Sequence, residues 1–259
     1  MASGWDPERD APADEDIASC VACGLCLPHC PTFRLTGRET ASPRGRIAAM
    51  RAVAEGEAEP DRTFAAMMDE CLACRACETA CPSGVPFGRM VEAARAQIEP
   101  RRPATPRATR RLGLAGVFPR RRLMFALATG LGLAQMIGAD RLVPRRLRRS
   151  SPRVSLDELR RPLPRSQGTG PVAALLTGCI MDVAFRPVHR ATLRLLARSG
   201  YRAVVPDDPG CCGALAMHNG QPEAAREMAR ARIAALESAD VIVVNSAGCS
   251  AHMKDWGAL

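Results

Sequence analysis

Eight of the twelve cysteines fall into two copies of one pattern, CxxCxxCxxxCP, and no fold is available to this chain that does not gather those thiols. The first copy is Cys20, Cys23, Cys26 and Cys30 followed by Pro31; the second is Cys71, Cys74, Cys77 and Cys81 followed by Pro82, each member 51 residues after its counterpart. Three cysteines spaced three apart can wrap three corners of an iron-sulfur cubane while a fourth is supplied from a distance. A structural zinc site uses paired ligands and has no need of a third cysteine in the same short loop. The pattern therefore implies two [4Fe-4S] clusters, with zinc or a disulfide framework as the alternatives. In two-cluster ferredoxins the fourth cysteine of each run ligates the other cluster. That rule assigns Cys20, Cys23, Cys26 and Cys81 to one cluster and Cys71, Cys74, Cys77 and Cys30 to the other. Pro31 and Pro82 fix the backbone after each fourth cysteine.

Thiolate ligands require a reducing compartment. The first residues, MASGWDPERDAPADEDIAS, are acidic and lack the charged start, apolar run and small-residue cleavage site of a secretion signal. Residues 1–14 are expected to be a disordered leader. The 259 residues suffice for two modest domains and a connector, with 47% hydrophobic content to supply their cores.

The formal charge of +9 is unevenly placed. Residues 101–165 hold 17 arginines against Asp140, Asp157 and Glu158, a net of +14 that leaves −5 for the remainder. The stretch has Phe118 and Phe125 but no aromatic residues interleaved with its charges for base stacking, so no nucleic acid is expected as a partner. A solvated basic connector, or attraction to an anionic membrane surface or an acidic partner subunit, accounts for it. Within it, residues 123–139 (LMFALATGLGLAQMIGA) carry no charge. As a helix they would span about 25 Å, short of what a bilayer core asks for, so a helix packed against protein or resting at a membrane surface is expected.

Helical signals lie between and after the cysteine runs. Ser42 with Pro43 begins one helix carrying Ile47, Met50 and Val53; Asp61 begins a second with Phe64, Met67 and Met68 on one face; Met90, Val91, Ala94 and Ile98 mark a third that stops before Pro100. After residue 171 the texture changes. Apolar runs at 172–178, 201–206 and 240–245 alternate with helices at 190–198 and 222–238, the signature of a parallel α/β layer with right-handed crossovers. Cys179, the pair Cys211 and Cys212, and Cys249 each follow a strand. Ligands bind outside the carboxyl ends of parallel strands, so these four thiols are candidates for a third metal or cluster site. A thiol/disulfide site and simple packing are the alternatives. His218 and His252 are nearby but are read as surface or core histidines.

The runs CVACGLCLPHCPTF and CLACRACETACPSGVPFG, the intervening SPRGRI, and later GCCGAL and NSAGCSAHMKDWG resemble the iron-sulfur subunit of bacterial glycolate oxidase. More broadly, residues 15–259 resemble proteins joining a helical ferredoxin to cysteine-rich CCG domains, among them subunits of lactate and anaerobic glycerol-3-phosphate dehydrogenases and heterodisulfide reductase. The resemblance implies an α+β multidomain chain: an all-helical two-cluster ferredoxin domain at 15–99, a basic helical linker at 100–170 and a small parallel α/β CCG domain at 171–259. It implies an electron-transfer subunit, not catalytic alone, with FAD on a partner dehydrogenase subunit and a quinone or membrane electron acceptor, placed in the cytoplasm at the inner-membrane face. It also implies an additional iron-sulfur centre on Cys179, Cys211, Cys212 and Cys249, although Ser246 stands where the family carries the first cysteine of its CxxC. The family carries two CCG domains, and this chain stops ten residues after Cys249. No residue is read as an acid, base or nucleophile, and no dinucleotide fingerprint is present. A non-catalytic metal-binding module is the alternative from another class.

Overall fold

Two side-chain caps set the frame of the N-terminal half in the computed structural model, which describes residues 3–258. The Ser42 hydroxyl accepts from Gly45 N at 2.9 Å and starts the helix Pro43–Ala54; the Asp61 carboxylate accepts from Phe64 N at 2.9 Å and starts Arg62–Asp69. Each cap satisfies an amide that the first turn leaves open, worth about 1 kcal/mol. A third helix, Phe87–Ile98, ends before Pro100 as expected, and a 3₁₀ turn, Glu99–Arg101, carries the chain over the proline. Their facing sides bury Ile47, Met50, Val53, Phe64, Met68, Met90, Val91 and Ile98 in one core. Short helices at Asp14–Ala18 and Pro31–Thr36 lie just before and just after the first cysteine run, and Ala76–Thr79 lies within the second and carries Cys77.

Residues 3–14, expected as a disordered leader, are instead docked on this core; Met1 and Ala2 lie outside the described residues. Trp5 is buried with its ring edge-on to Phe64, centroids 5.7 Å apart. Gly4 N donates to the Val53 carbonyl at 2.9 Å, and the Gln97 side chain exchanges two hydrogen bonds with the backbone of Asp6. One large aromatic residue supplies enough apolar area to hold a polar, acidic stretch against the surface.

The chain divides into two compact units, residues 3–109 with 215–222, and residues 110–214 with 223–258. The second is organised by a four-stranded sheet of β1 (Ser166–Gln167), β2 (Val172–Leu176), β3 (Arg202–Val204) and β4 (Val241–Val244) in the order β1-β3-β2-β4. The three expected strands are parallel, with Ala173 opposite Ala203 and Leu175 opposite Val243. β1 was not foreseen. It runs antiparallel to β3 and covers that edge, so the sheet is mixed rather than purely parallel. The turn out of β1 requires Gly170, at φ 104°, because a Cβ there would lie 2.2 Å from the Gly200 carbonyl oxygen.

Helices Arg186–Arg198 and Pro222–Leu236 make the two crossovers, and Ala247–Lys254 follows β4. The arginine-rich connector is helical, as expected, and from residue 110 onward it clusters with the sheet unit. Its longest helix, Arg121–Met136, packs Met124 and Ala128 against Val183. Asp182, almost fully buried, receives hydrogen bonds from Arg121 and Arg186 at 2.7 and 2.8 Å, and both guanidinium groups lie over the Phe125 ring. Among the described residues no helix is long and apolar enough to cross a membrane.

Candidate metal centres

The two cysteine loops share one backbone feature. In the first, Ala22 and Gly24 take the left-handed conformation at φ 55° and 84°; in the second, Ala73 and Arg75 do so at φ 50° and 59°. These are the residues on either side of the second cysteine in each run. Three of the four carry a Cβ and so cost on the order of 1–3 kcal/mol each, a strain that persists only where the surroundings impose it. Alternating the backbone hand in this way gathers successive amide groups around a concavity suited to an anion.

The thiols line two neighbouring cavities. One is bordered by Cys20, Cys23, Cys26 and Cys81 with Ile47, Val85 and Phe87; the other by Cys30, Cys71 and Cys74 with Thr32 and Arg46; Cys77 borders both. Each run thus places its first three thiols near one cavity and its fourth at the other. Cys30 stands at the N-cap of the helix Pro31–Thr36, with Pro31 at its first position. Among the described residues no three ligating side chains converge on a single point as one metal ion requires. Four thiols spread around each of two cavities suit the wider body of a cubane.

Arginines hold these loops from behind. Arg51 donates to the Cys20 carbonyl at 3.3 Å, and Arg95 donates to the Cys71 carbonyl at 2.6 Å, so the first cysteine of each run is clamped in the same way. Arg46 is completely buried. Its guanidinium donates to the carbonyls of Ala41 and Met67 at 2.8 and 2.7 Å and to the Thr32 hydroxyl at 3.4 Å. That hydroxyl lies 3.2 Å from Cys30 Sγ. Arg46 and Arg95 could not be singled out in the sequence, where they are two of many arginines.

The charge balance differs between thiols. Burial pushes the Cys77 thiol up to about 12, helped by the neighbouring charges of Cys71, Glu78 and Cys26. Burial also raises Cys26, although backbone amides work against it. At Cys30 burial is outweighed by hydrogen bonds from Thr32 and the Phe33 amide and by the Arg46 charge, and the thiol is held below its ordinary range. Thiolates crowded in this way repel one another until a cation neutralises them, so metal binding must release protons.

In the second unit, Cys179 follows β2 and precedes the short helix Ile180–Ala184, Cys211 and Cys212 follow β3, and Cys249 lies in Ala247–Lys254 after β4. The four thiols form one hydrogen-bonded chain in the order 179, 211, 212, 249. Hydrogen bonds from Cys179 and Cys212 hold the Cys211 thiol below its ordinary range, with the charge of His252 contributing; giving up those bonds, together with burial, pushes Cys179 and Cys212 well above the thiol range. His252, read from the sequence as a surface or core residue, is buried in the core and close enough to act on Cys211. His218 is elsewhere, 2.7 Å from Glu92 in the first unit. Ser246 caps the helix that carries Cys249 without a side-chain bond to it.

Residues 16–85 match the 4Fe-4S dicluster domain family, and residues 173–254 match the cysteine-rich (CCG) domain family. The chain is 38% identical over 265 residues to the probable glycolate oxidase iron-sulfur subunit of Bacillus subtilis (strain 168), covering 93% of this chain and 59% of that protein. It is 34% identical over 259 residues to the glycolate oxidase iron-sulfur subunit of Escherichia coli (strain K12), covering 96% of this chain and 60% of that protein. A shorter match, 31% over 83 residues, joins it to lactate utilization protein A of Geobacillus kaustophilus (strain HTA426), covering 32% of this chain and 35% of that protein. The chain spans about three fifths of the length of the two glycolate oxidase relatives. No solved structure matches it. The chain thus joins a region that matches the 4Fe-4S dicluster domain family, with eight thiols around two cavities, to one that matches the cysteine-rich domain family, with four more thiols after its strands, and over most of its length it is similar to glycolate oxidase iron-sulfur subunits.

Proposed function

We propose that the chain is the electron-transfer subunit of a flavoprotein dehydrogenase, with glycolate as the substrate of the complex. The observation that carries this is the pair of cavities, each bordered by three thiols of one run and the fourth of the other. Cys20, Cys23, Cys26 and Cys81 would hold one [4Fe-4S] cluster, and Cys71, Cys74, Cys77 and Cys30 the second. Clusters bound there supply reversible one-electron chemistry. The chain's own residues set the conditions for it: the left-handed loops aim the thiols, Arg51 and Arg95 fix the first ligand of each run, and apolar side chains such as Ile47, Val85 and Phe87 keep water from the first cavity.

An FAD-bearing partner subunit would take two electrons from glycolate, releasing two protons and glyoxylate, and deliver the electrons singly. The acceptor would be a quinone, reached from the cytoplasmic face of the inner membrane. Glycolate is preferred over lactate because the glycolate oxidase relatives match across both domains, whereas the lactate utilization protein matches over 83 residues. Cys179, Cys211, Cys212 and Cys249 would hold a third centre through four thiolates, without a ligand at Ser246.

Anaerobic purification tests this reading. About eight irons and eight sulfides assigned to the first unit, reversibly reduced, are expected, along with co-purification of a flavin subunit through which glycolate reduces the complex. Stoichiometric zinc without sulfide would refute it. A Cys211→Ser, Cys212→Ser variant that retains all its iron would remove the third centre.

A further inference from the structure

The helix Arg121–Met136 has two faces that differ in a way protein packing does not require. One face turns Met124, Ala128 and Gly132 inward, and Gly132 is so close to Leu156 that a Cβ there would meet its side chain at 2.7 Å. The other face is exposed and carries Leu123, Ala126, Leu127, Gly130 and Leu133, continuing into Met136 and Ile137. Leu127, Met136 and Ile137 are 54%, 69% and 74% exposed. A helix on the surface of a globular unit puts charged residues on its outer side. This one has none between Leu123 and Ala139.

Arginine frames the apolar stripe at both ends. Arg120 and Arg122 stand at the start of the helix on either side of Arg121, whose guanidinium is held by Asp182; the macrodipole disfavours positive charge there. Beyond its end an open cleft of about 760 Å³ is lined by Arg141, Arg148, Arg149 and Arg153 together with Met136. The bond from Val154 N to the Gln135 side chain, 3.0 Å, and that from Gln135 to the Pro152 carbonyl, 2.9 Å, tie the far wall of this cleft to the helix. Leu142 is almost fully exposed beside it.

We propose that this face docks the chain on an anionic phospholipid bilayer, the helix lying in the interface plane with its leucines among the upper acyl chains and the framing guanidinium groups on lipid phosphates. The match is one of charge and depth: an uncharged stripe flanked by arginines fits a surface that is apolar below and anionic at its rim. An acidic protein would pair with the arginines but would leave the leucines facing polar groups. A nucleic acid would also offer phosphate to the uncharged stripe, and there is no aromatic residue on that stripe for a base to stack on. The inference deepens the peripheral placement proposed above by naming the surface responsible.

Flotation of the purified full chain with vesicles tests it. Co-flotation is expected with vesicles containing about a third phosphatidylglycerol, falling about tenfold on pure phosphatidylcholine or at high salt. A Leu127→Asp, Leu133→Asp variant should lose binding about tenfold, and so should Arg148→Gln, Arg149→Gln, Arg153→Gln, whereas Leu195→Asp, on the exposed side of Arg186–Arg198, should bind as the parent does. Both helix leucines are exposed, and unchanged iron content and thermal unfolding confirm that the variants remain folded. Absence of flotation with anionic vesicles, or flotation that the leucine variant leaves intact, overturns the proposal. So does a leucine variant that loses the flavin subunit but keeps its vesicle binding, because the face would then belong to a protein partner. Iron content is read in the same samples: vesicle binding without iron-sulfur clusters would sink the redox reading alone, and clusters without vesicle binding would sink the docking face alone.

Discussion

Replacing Arg46 by methionine removes a buried positive charge beside one of the two cavities while keeping most of the side-chain volume. The guanidinium is fully enclosed and is linked to Cys30 Sγ through the Thr32 hydroxyl, two hydrogen bonds away. Taking a separation on the order of 6 Å and an effective dielectric of about 20, the charge stabilises one added electron by about 3 kcal/mol. For a one-electron couple that corresponds to on the order of 100 mV. Reduction adds negative charge, so removing the arginine favours the oxidised state. The cluster that Cys30 would hold should therefore move to lower potential in Arg46→Met by on the order of 100 mV, and the other by less. Arg46→Lys, which keeps the charge but not the fork that reaches Ala41, Met67 and Thr32, should recover most of the shift. The assay is a redox titration of the anaerobically purified protein followed by electron paramagnetic resonance. Shifts of both clusters by the same amount, or a lysine variant no closer to the parent than methionine, would refute the electrostatic account and leave Arg46 as a packing residue.

Trp5→Ala should destabilise the first unit by about 3–5 kcal/mol, read by chemical denaturation, because it removes the anchor packed on Phe64; a variant as stable as the parent would show that the N-terminal segment is not docked. His189 gives the second unit a pH dependence. Burial holds its imidazole below the ordinary range, with Asp182 pulling the other way, and its Nδ1 accepts from the Asn245 side chain at 3.1 Å. Below about pH 6.5 the unfolded chain binds a proton that the folded one refuses, so stability should fall as the pH drops from 7 toward 5. His189→Gln should flatten that dependence, as followed by thermal unfolding at stepped pH.

The sequence made the cluster loops readable because their chemistry needs a fixed spacing, and two copies 51 residues apart cannot be read as scattered thiols. Ser42 and Asp61 were legible for a similar reason: a capping side chain and the helix it starts are neighbours in the chain. What stayed hidden depends on distant partners. Trp5 sits in a polar, acidic stretch and reveals its role only when Phe64 arrives from the core. Ser166 and Gln167 have no strand pattern of their own and pair because β3 leaves an edge open. Ala22, Ala73 and Arg75 adopt a glycine-like backbone that no residue type announces, imposed by the loop around them. The burial of Arg46 was equally invisible, because it is set by carbonyls on two separate segments.

The exchange of fourth thiols between the two loops bears on how the domain arose. A polypeptide carrying one copy of the run would border its own cavity with three thiols and hold the fourth where nothing completes it. Two such identical polypeptides placed side by side would supply each other's missing corner, which is the arrangement that Cys30 and Cys81 now reproduce within a single chain. The 51-residue repeat thus has the arrangement that two such polypeptides joined end to end would have, and separating the halves would leave each of them without its fourth corner.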